Sequence, residues 1–374
     1  MSNSPGVAPP RAAPDPASRF GATPKRVRSA VIPVVLLVVL ALVPKLSLDI
    51  PVVFTGPLDS PGTLQLLGLC LVFAGAALSY DVLFGFTGLL SFGHALYFAV
   101  GVYVTAIALT KWEWGLWLTL GFVALVAVAL PVVLGAVSLR VTGIAFAMVT
   151  LAFAQAGNVL VQKNPYGWTG GEEGTGLNYD HIPDAFVGVL NTKNLYWLAL
   201  GYAVLVFVVV RLAVSSSAGH VWRAIRENEP RVEVLGLSPY PFKLIAFVLA
   251  AFLAVLGGVV WLLLIGGATP EVTTANFTLA LLVMVVLGGA GTRYGAMIGG
   301  FLYTLLDQRL GALSGSSRVQ DLPDVLRIPL SEPLFLLGTF FILLVFFVPG
   351  GLASLPRRLR GIRVREPLPE EAGS

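Results

Sequence analysis

The chain has 374 residues, of which 56% are hydrophobic and only 12% are charged, with a formal net charge of +4 at pH 7. An average soluble domain carries about 25% charged residues, so this composition excludes an ordinary soluble protein. The single cysteine, Cys70, excludes an intramolecular disulfide framework, and the small net charge gives no reason to expect nucleic-acid binding.

Residues 1–28 are rich in Pro, Ala and Ser and carry several basic side chains, so they are predicted to form a disordered basic tail. A targeting peptide is the alternative, because an apolar segment of modest length, 30–43, follows. An uncleaved first span is favoured, since no clear small-residue cleavage site precedes Pro44.

Hydropathy predicts an all-α fold: a polytopic transmembrane helical bundle of about ten spans, within a range of about eight to eleven. The predicted spans are 29–46, 62–84, 86–110, 115–138, 142–161, 195–213, 242–265, 277–292, 294–308 and 333–349. Several are shorter than the roughly 20 residues that a straight crossing needs. The spans 277–292 and 294–308 are therefore expected to be tilted, broken or re-entrant.

This pattern divides the chain into a tail (1–28), a transmembrane domain (29–349) and a second tail (350–374). Within the domain the largest polar segments are 162–194, 215–241 and 309–332. If segment 215–241 is cytoplasmic, both tails are cytoplasmic and the other two segments are outer loops. Most Lys and Arg residues then lie inside, as the positive-inside rule requires. The basic run 357–365 is expected to attract anionic membrane lipid.

The polar run 217–236 is predicted to form two short helices between two spans. Ser217 is a candidate N-cap, and Val221, Trp222 and Ile225 form an apolar stripe at helical spacing. Pro230 should end the first helix near Glu229 and begin the second, which a left-handed glycine would close. Such a unit is either a docking knuckle for another protein or an ordinary solvated connector.

Two glycine-rich segments, 85–101 and 288–300, interrupt predicted spans. Glycine allows close helix packing and also tolerates broken helices whose ends face a substrate, so both interpretations stay open. Ionisable residues inside the spans are few: Asp81, His94 and Asp307. A carrier driven by protons or ions usually needs more of them. The sequence also lacks a G-x-x-x-x-G-K-[ST] phosphate loop, so energy should come from another subunit.

Four motifs carry a resemblance to a known family. The run G-H-V-W-R-A-I-R-E-N-E is similar to the cytoplasmic coupling loop of branched-chain amino acid ABC importer permeases. F-T-G-L-L-S-F-G-H resembles their Tyr-Thr-Gly-Leu-Leu-Ser-Phe-Gly-His signature, L-R-V-T-G-I-A-F-A-M-V-T-L resembles the span that follows, and G-G-A-G-T-R-Y-G resembles a glycine turn. Together they cover roughly residues 64–308. Glu172-Glu173 and Thr175-Gly176 depart from the commoner family pattern of the outer loop.

The resemblance implies three sets of site residues and no catalytic or metal-binding residue. Coupling to the ATP-binding subunit is assigned to Gly219, Val221, Trp222, Arg223, Ala224, Ile225, Arg226, Glu227, Glu229 and Gly236. The candidate translocation path is Phe86, Thr87, Gly88, Ser91, Gly93, His94, Thr150, Phe153, Gly288, Gly289 and Gly291. The candidate contacts to a binding protein are Thr169, Gly170, Gly171 and Gly174.

The role of two residues stays open. His94 either lines the path or is a neutral helix histidine bonded to a neighbouring carbonyl. Arg293 is interpreted as a topology anchor in preference to a substrate contact.

The function implied is that of a LivM-like permease subunit, not an enzyme, in a bacterial cytoplasmic membrane. The implied partners are a second permease subunit, forming a heterodimer, two ATP-binding subunits that hold ATP-Mg, and an extracytoplasmic binding protein. No cofactor is expected on this chain. The alternatives are a urea or short-chain amide importer of related type and, from another class, a stand-alone secondary carrier or channel.

Overall fold

The computed structural model describes residues 38–46, 56–188, 191–292, 294–314, 332–348 and 350–354. The predicted tail 1–28, the first half of the first predicted span and Arg293 lie outside these residues, as do most of the 309–332 loop and the basic run 357–365. Residues 38–46 belong to a separate unit, which is helical over 38–42 and continues as a 3-10 turn at Val43–Lys45.

The larger unit is built almost entirely of helices, as the hydropathy predicted. In chain order they are α1 Pro61–Asp81, α2 His94–Thr110, α3 Leu116–Ser138, α4 Ile144–Lys163, α5 Thr192–Ser215, α6 Ser217–Glu227, α7 Glu229–Val234, α8 Pro239–Ile265, α9 Ala275–Gly288, α10 Gly295–Ser314 and α11 Pro333–Phe347. A π-helical turn, Val82–Thr87, extends α1, and 3-10 turns lie at Asp184–Phe186, Pro270–Thr273 and Leu352–Ser354. The two short strands are β1 Thr175–Gly176 and β2 Gly267–Ala268.

Five helices in the described residues are long and apolar enough to cross a membrane, so the predicted count of about ten spans is not confirmed. They are α1 with its π-helical turn, α3, α4, α5 and α8. Three apolar helices are shorter than a straight crossing requires: α2, α9 and residues Phe335–Leu344 of α11. Two of these short helices, α2 and α9, adjoin glycine-rich breaks.

The predicted span 86–110 is wrong at its beginning. Helix α1 runs on through its π-helical turn to Thr87, Gly88 then adopts a left-handed φ of 78°, and α2 starts only at His94. Residues 88–93 are therefore non-helical, because glycine reaches this conformation at no steric cost. A second break, which includes residues 289–292, separates α9 from α10, and Gly289 and Gly291 have φ values of 107° and 71°.

The predicted outer loop 309–332 is also wrong at its beginning, because α10 continues to Ser314. Residues 309–314 read R-L-G-A-L-S, and apart from Gly311 they have ordinary to high helix propensity. A single arginine changes the hydropathy but does not stop a helix.

Helices α1 and α8 form the core of the bundle. Helix α1 packs against α5, α8, α9 and α10, and most of its side chains are buried. Helix α8 packs against α1, α2 and α3, whereas α3 and α4 lie at the edge and leave most of their surface exposed. The exposed apolar side chains of α3 and α4 fit a lipid or protein environment better than water.

The bundle has two different ends. At the strand end, β1 pairs antiparallel with β2, with Thr175 opposite Ala268. At the opposite end, which is named the knuckle end, lie α6, α7 and both helix breaks. Helix α8 joins the two ends, since it starts just after α7 and leads directly into β2. Its 27 residues span about 40 Å at 1.5 Å per residue.

The close approach of α2 and α8 yields a prediction about stability. A methyl group at Gly258 would overlap the Phe98 carbonyl oxygen and lie 3.0 Å from the Val102 nitrogen. Gly258→Ala should therefore separate the two helices and lower the stability by about 1–3 kcal/mol, measured as a lower Tm in detergent. Gly201→Ala on α5 is the control, because nothing lies within 4 Å of its added methyl group. Equal Tm values for the two variants would contradict the prediction.

Candidate functional site: the knuckle and the helix breaks

The polar connector between α5 and α8, residues 216–238, is named the knuckle. The predicted N-cap Ser217 is wrong by one residue: Ser216 has the extended backbone, and its side chain accepts a hydrogen bond from the Gly219 N–H at 3.4 Å. Asn228 ends α6 and caps α7 by accepting from the Arg231 N–H at 3.0 Å. Gly236 closes α7 with a left-handed φ of 82°, as predicted.

The apolar stripe of α6 faces the chain itself. Trp222 and Ile225 are buried, and Trp222 donates from its ring nitrogen to the Phe242 carbonyl oxygen at 2.8 Å. Gly219 is buried against the Val214 carbonyl. Of the residues predicted to couple to an ATP-binding subunit, these three hold the knuckle against α5 and α8.

An ion pair forms a second anchor. The Lys243 ammonium on α8 donates to Oε1 of Glu229 at the start of α7. The Lys243 side chain is 5% exposed and that of Glu229 is 31% exposed. A pocket of about 540 Å³ opens beside this pair, between the knuckle and the turn that follows α3. Glu233 also lines it, so the pocket carries a net negative charge.

The exposed part of the knuckle is one side of α6 and most of α7 with the turn after it; the apolar residues Val234 and Leu235 are named the α7 tip. Val234 is 87% exposed and Leu235 is 74% exposed. Of the predicted coupling residues, Arg223, Ala224, Arg226, Glu227 and Gly236 are exposed and Val221 is half-buried. Arg223 donates to the Gly219 and Val214 carbonyl oxygens, both at 3.2 Å. The second of these bonds supplies a donor to a carbonyl in the last turn of α5.

Both helix breaks meet the knuckle at one point. The Gly291 N–H of the second break donates to Asp81 Oδ1 at 2.9 Å. Asp81 directly precedes the π-helical turn that leads into the first break, residues 88–93. Nη1 of Arg226 donates to the Gly85 carbonyl oxygen in that turn. These four residues, Asp81, Gly85, Arg226 and Gly291, are named the junction.

Side-chain hydroxyls accept hydrogen bonds from backbone N–H groups of the first break and of the first turn of α2. Thr150 on α4 accepts from the Phe92 N–H at 3.1 Å, and Ser91 accepts from the Gly93 N–H at 3.2 Å. Thr278 on α9 accepts from the Ala95 N–H at 3.0 Å. Three predicted path residues, Ser91, Gly93 and Thr150, therefore lie together and are buried, whereas Gly88 at the start of the break is exposed.

The remaining predicted path residues are also packed. Phe86 and Thr87 are buried, Phe153 is half-buried, and Gly288 and Gly289 lie where α9 meets α10 and the turn at Gly351. The cavity beside Phe86 has a volume of about 10 Å³, about the space of one water molecule. His94 is buried and hydrogen-bonded through Nε2 to the Ser79 hydroxyl at 2.9 Å. Its partner is thus a hydroxyl rather than the expected carbonyl.

The predicted contacts to a binding protein form a turn at the strand end. The Thr169 hydroxyl donates to the Val161 carbonyl oxygen at 2.7 Å, and Gly170, Gly171 and Gly174 all have positive φ values. Gly174 lies directly against the Ala268 carbonyl, which lets β1 approach β2.

Sequence reasoning missed three residues of this region: Asp81, Gly85 and Lys243. Asp81 was noted as an intramembrane charge but not assigned to the site. Its position four residues before Gly85 in an apolar run was a usable signal, because such a charge is usually kept for function. Gly291, the partner of Asp81, is distant in sequence, and Glu229, the partner of Lys243, lies before the turn that separates α7 from α8. No local sequence pattern reveals either pairing.

Comparison with known proteins supports the family suggested by the motifs. Residues 62–347 match the family model described as branched-chain amino acid transport system, permease component. The LivM high-affinity branched-chain amino acid permease proteins of Escherichia coli K12 and Salmonella typhimurium are each 27% identical over 320 residues, which cover 80% of this chain and 71% of theirs. A probable LivM protein of Methanocaldococcus jannaschii is 26% identical over 161 residues, covering 42% of this chain and 45% of its own. No solved structure matches.

The apolar helices and these relatives define an integral membrane transport protein. The chain belongs to the family of branched-chain amino acid transport system permease components. It is therefore a transport subunit of ABC permease type.

The buried ion pair yields a prediction about the anchor. Glu229→Leu leaves the buried Lys243 ammonium without its partner and should cost about 3 kcal/mol. Lys243→Met should cost less, because the Glu229 carboxylate is partly exposed and can turn to water. The measurement is the Tm in detergent together with the rate of protease cleavage in the knuckle. The double variant should recover most of the loss, and equal effects of the two single changes would contradict the asymmetry.

Proposed function

We propose that this chain is one of the two transmembrane subunits of a bacterial ABC importer for branched-chain or related hydrophobic amino acids. A second permease subunit, two ATP-binding subunits that hold ATP-Mg, and an extracytoplasmic binding protein complete the assembly. The observation that carries the proposal is a family match spanning 62–347 in a chain whose knuckle exposes apolar residues.

The exposed tip of α7 supports the docking role. Val234 and Leu235 lie at the end of a polar connector, where lipid-facing apolar residues are not needed. Exposed large apolar residues outside a lipid-facing surface typically mark a protein contact. The knuckle then faces the cytoplasm, and both termini lie on the same side.

The anchors explain how a docked subunit would move the helices. Trp222 and the Lys243–Glu229 pair hold the knuckle against α8, and Gly219 and Arg223 hold it against α5. Movement of the ATP-binding subunit on ATP binding would therefore tilt these helices instead of bending a loose loop. Substrate released by the binding protein passes along the interface with the second permease, on the side of the glycine-rich breaks. The packed breaks correspond to a closed path.

The docking surface is tested by copurification. Val234→Asp and Leu235→Asp place charges on the α7 tip and should reduce copurification of the ATP-binding subunit by about tenfold or more, equivalent to about 1.4 kcal/mol. Val141→Asp, an exposed apolar residue in the turn after α3, is the control and should copurify normally. If the unmodified chain copurifies no ATP-binding subunit and still transports, it is a stand-alone carrier or channel.

The substrate class is tested by competition. Uptake of labelled leucine into proteoliposomes containing the complete assembly should be blocked by excess isoleucine or valine and not by excess urea or acetamide. The path residues are mostly apolar or small, and they contain few charged groups that would hold a strongly polar solute. Selective competition by urea would instead favour the urea or short-chain amide importer.

A further inference from the structure

The Arg226 side chain reaches into its own chain. Arg226 lies on α6 between the buried Ile225 and the exposed Glu227, and a residue that only docked a partner would point its guanidinium outward. Nη1 instead donates to the Gly85 carbonyl oxygen in the π-helical turn. Gly88 packs against the stem of this side chain, with Cγ 3.1 Å from the position of an added methyl group.

The Gly85 carbonyl is a favourable partner for a guanidinium. It belongs to the last turn of the continuous helix Pro61–Thr87, whose final carbonyl groups have no intrahelical partners. The helix dipole also makes this end negative, so a cation is stabilised there. Arg226 thus acts as a C-terminal cap for a helix that is distant in sequence.

Asp81 links the same helix end to the second break. Its side chain is completely buried, Oδ1 accepts from the Gly291 N–H, and Arg226 interacts with it electrostatically. In the part of the chain that the structure describes, Oδ2 has no hydrogen-bond partner. A buried carboxylate of this kind is expensive and is usually kept for function.

The backbone spacing at the junction leaves no room for other side chains. A methyl group at Gly85 would overlap Asp81 Oδ1 and the Gly291 nitrogen. One at Gly291 would overlap Arg226 Nη1 and lie 2.6 Å from the Gly85 carbonyl oxygen. The knuckle, the first break and the second break are therefore in direct contact at these four residues.

We propose that Arg226 is a coupling residue that acts inside this chain, not a contact to the ATP-binding subunit. Through Gly85 and Asp81 it joins the knuckle to both helix breaks, so displacement of the knuckle shifts the two breaks together and opens the closed path. Asp81 is the positioning residue that keeps Gly291 within reach. The inference rests on the proposed function, since it assigns a role within the coupling that the ATP-binding subunit drives.

The first test separates docking from coupling in the complete assembly. Arg226→Ala should leave copurification of the ATP-binding subunit unchanged and ATP hydrolysis active, while leucine uptake falls by about tenfold or more, the size expected for a lost charged hydrogen bond. Arg226→Lys, which keeps the charge but loses the guanidinium geometry, should transport at an intermediate rate. Arg140→Ala removes an exposed arginine from the same end of the bundle and should have no effect.

The second test displaces the guanidinium without changing any charge. Gly291→Ala should uncouple hydrolysis from uptake as Arg226→Ala does, and the double variant should be no worse than either single change. Gly167→Ala is the matched control: its φ of 69° is nearly the same as the 71° of Gly291, but nothing lies within 4 Å of the added methyl group.

The outcomes distinguish the inference from the proposed function. Loss of copurification in Arg226→Ala, or normal uptake in both Arg226→Ala and Gly291→Ala, would overturn the coupling role. If Arg226→Ala does not accumulate, Arg226→Lys and Gly291→Ala decide the matter by the same readouts. Absence of an ATP-binding subunit from the unmodified preparation would instead overturn the proposed function.

Discussion

The rest of the structure depends on satisfying backbone hydrogen bonds where two apolar helices stop at the knuckle end of the bundle. In lipid, an unpaired N–H or C=O group costs several kcal/mol, so non-helical backbone survives only where protein groups replace water. Here Thr150, Ser91 and Thr278 supply hydroxyls to the first break, and Asp81 accepts from the second. Arg226 completes the set at the Gly85 carbonyl. Short side chains on neighbouring helices thus make the breaks possible.

The knuckle is a rigid extension of the bundle despite its polar sequence. A solvated connector would place its apolar residues at random, whereas α6 buries Trp222 and Ile225 and α7 buries Val232. The Lys243–Glu229 pair fixes the turn between them. Most of α7, the turn after it and the outer side of α6 remain exposed. Rigidity matters because a force applied to a firmly packed helix is passed on, while a flexible loop absorbs it.

Local pattern was sufficient for most helices and for the knuckle. The stripe of Trp222 and Ile225, the proline at the start of α7 and the closing Gly236 all act within a few residues. The break at Gly88 was placed inside a predicted span, because hydropathy measures apolarity and not conformation. Gly85, Asp81 and Gly291 meet through packing of segments that are some 200 residues apart, and no periodicity encodes that contact. The site residues themselves remain predictions.

The strand pair has a mechanical consequence. Because the single residue Gly266 separates α8 from β2, the glycine-rich turn around Thr175 is attached to one end of the helix whose other end carries Lys243. A rigid helix that is displaced at one end either carries its other end with it or rotates about that end. In the proposed mechanism, a displacement of α7 would therefore either move the Thr175 turn or use it as the pivot of α8.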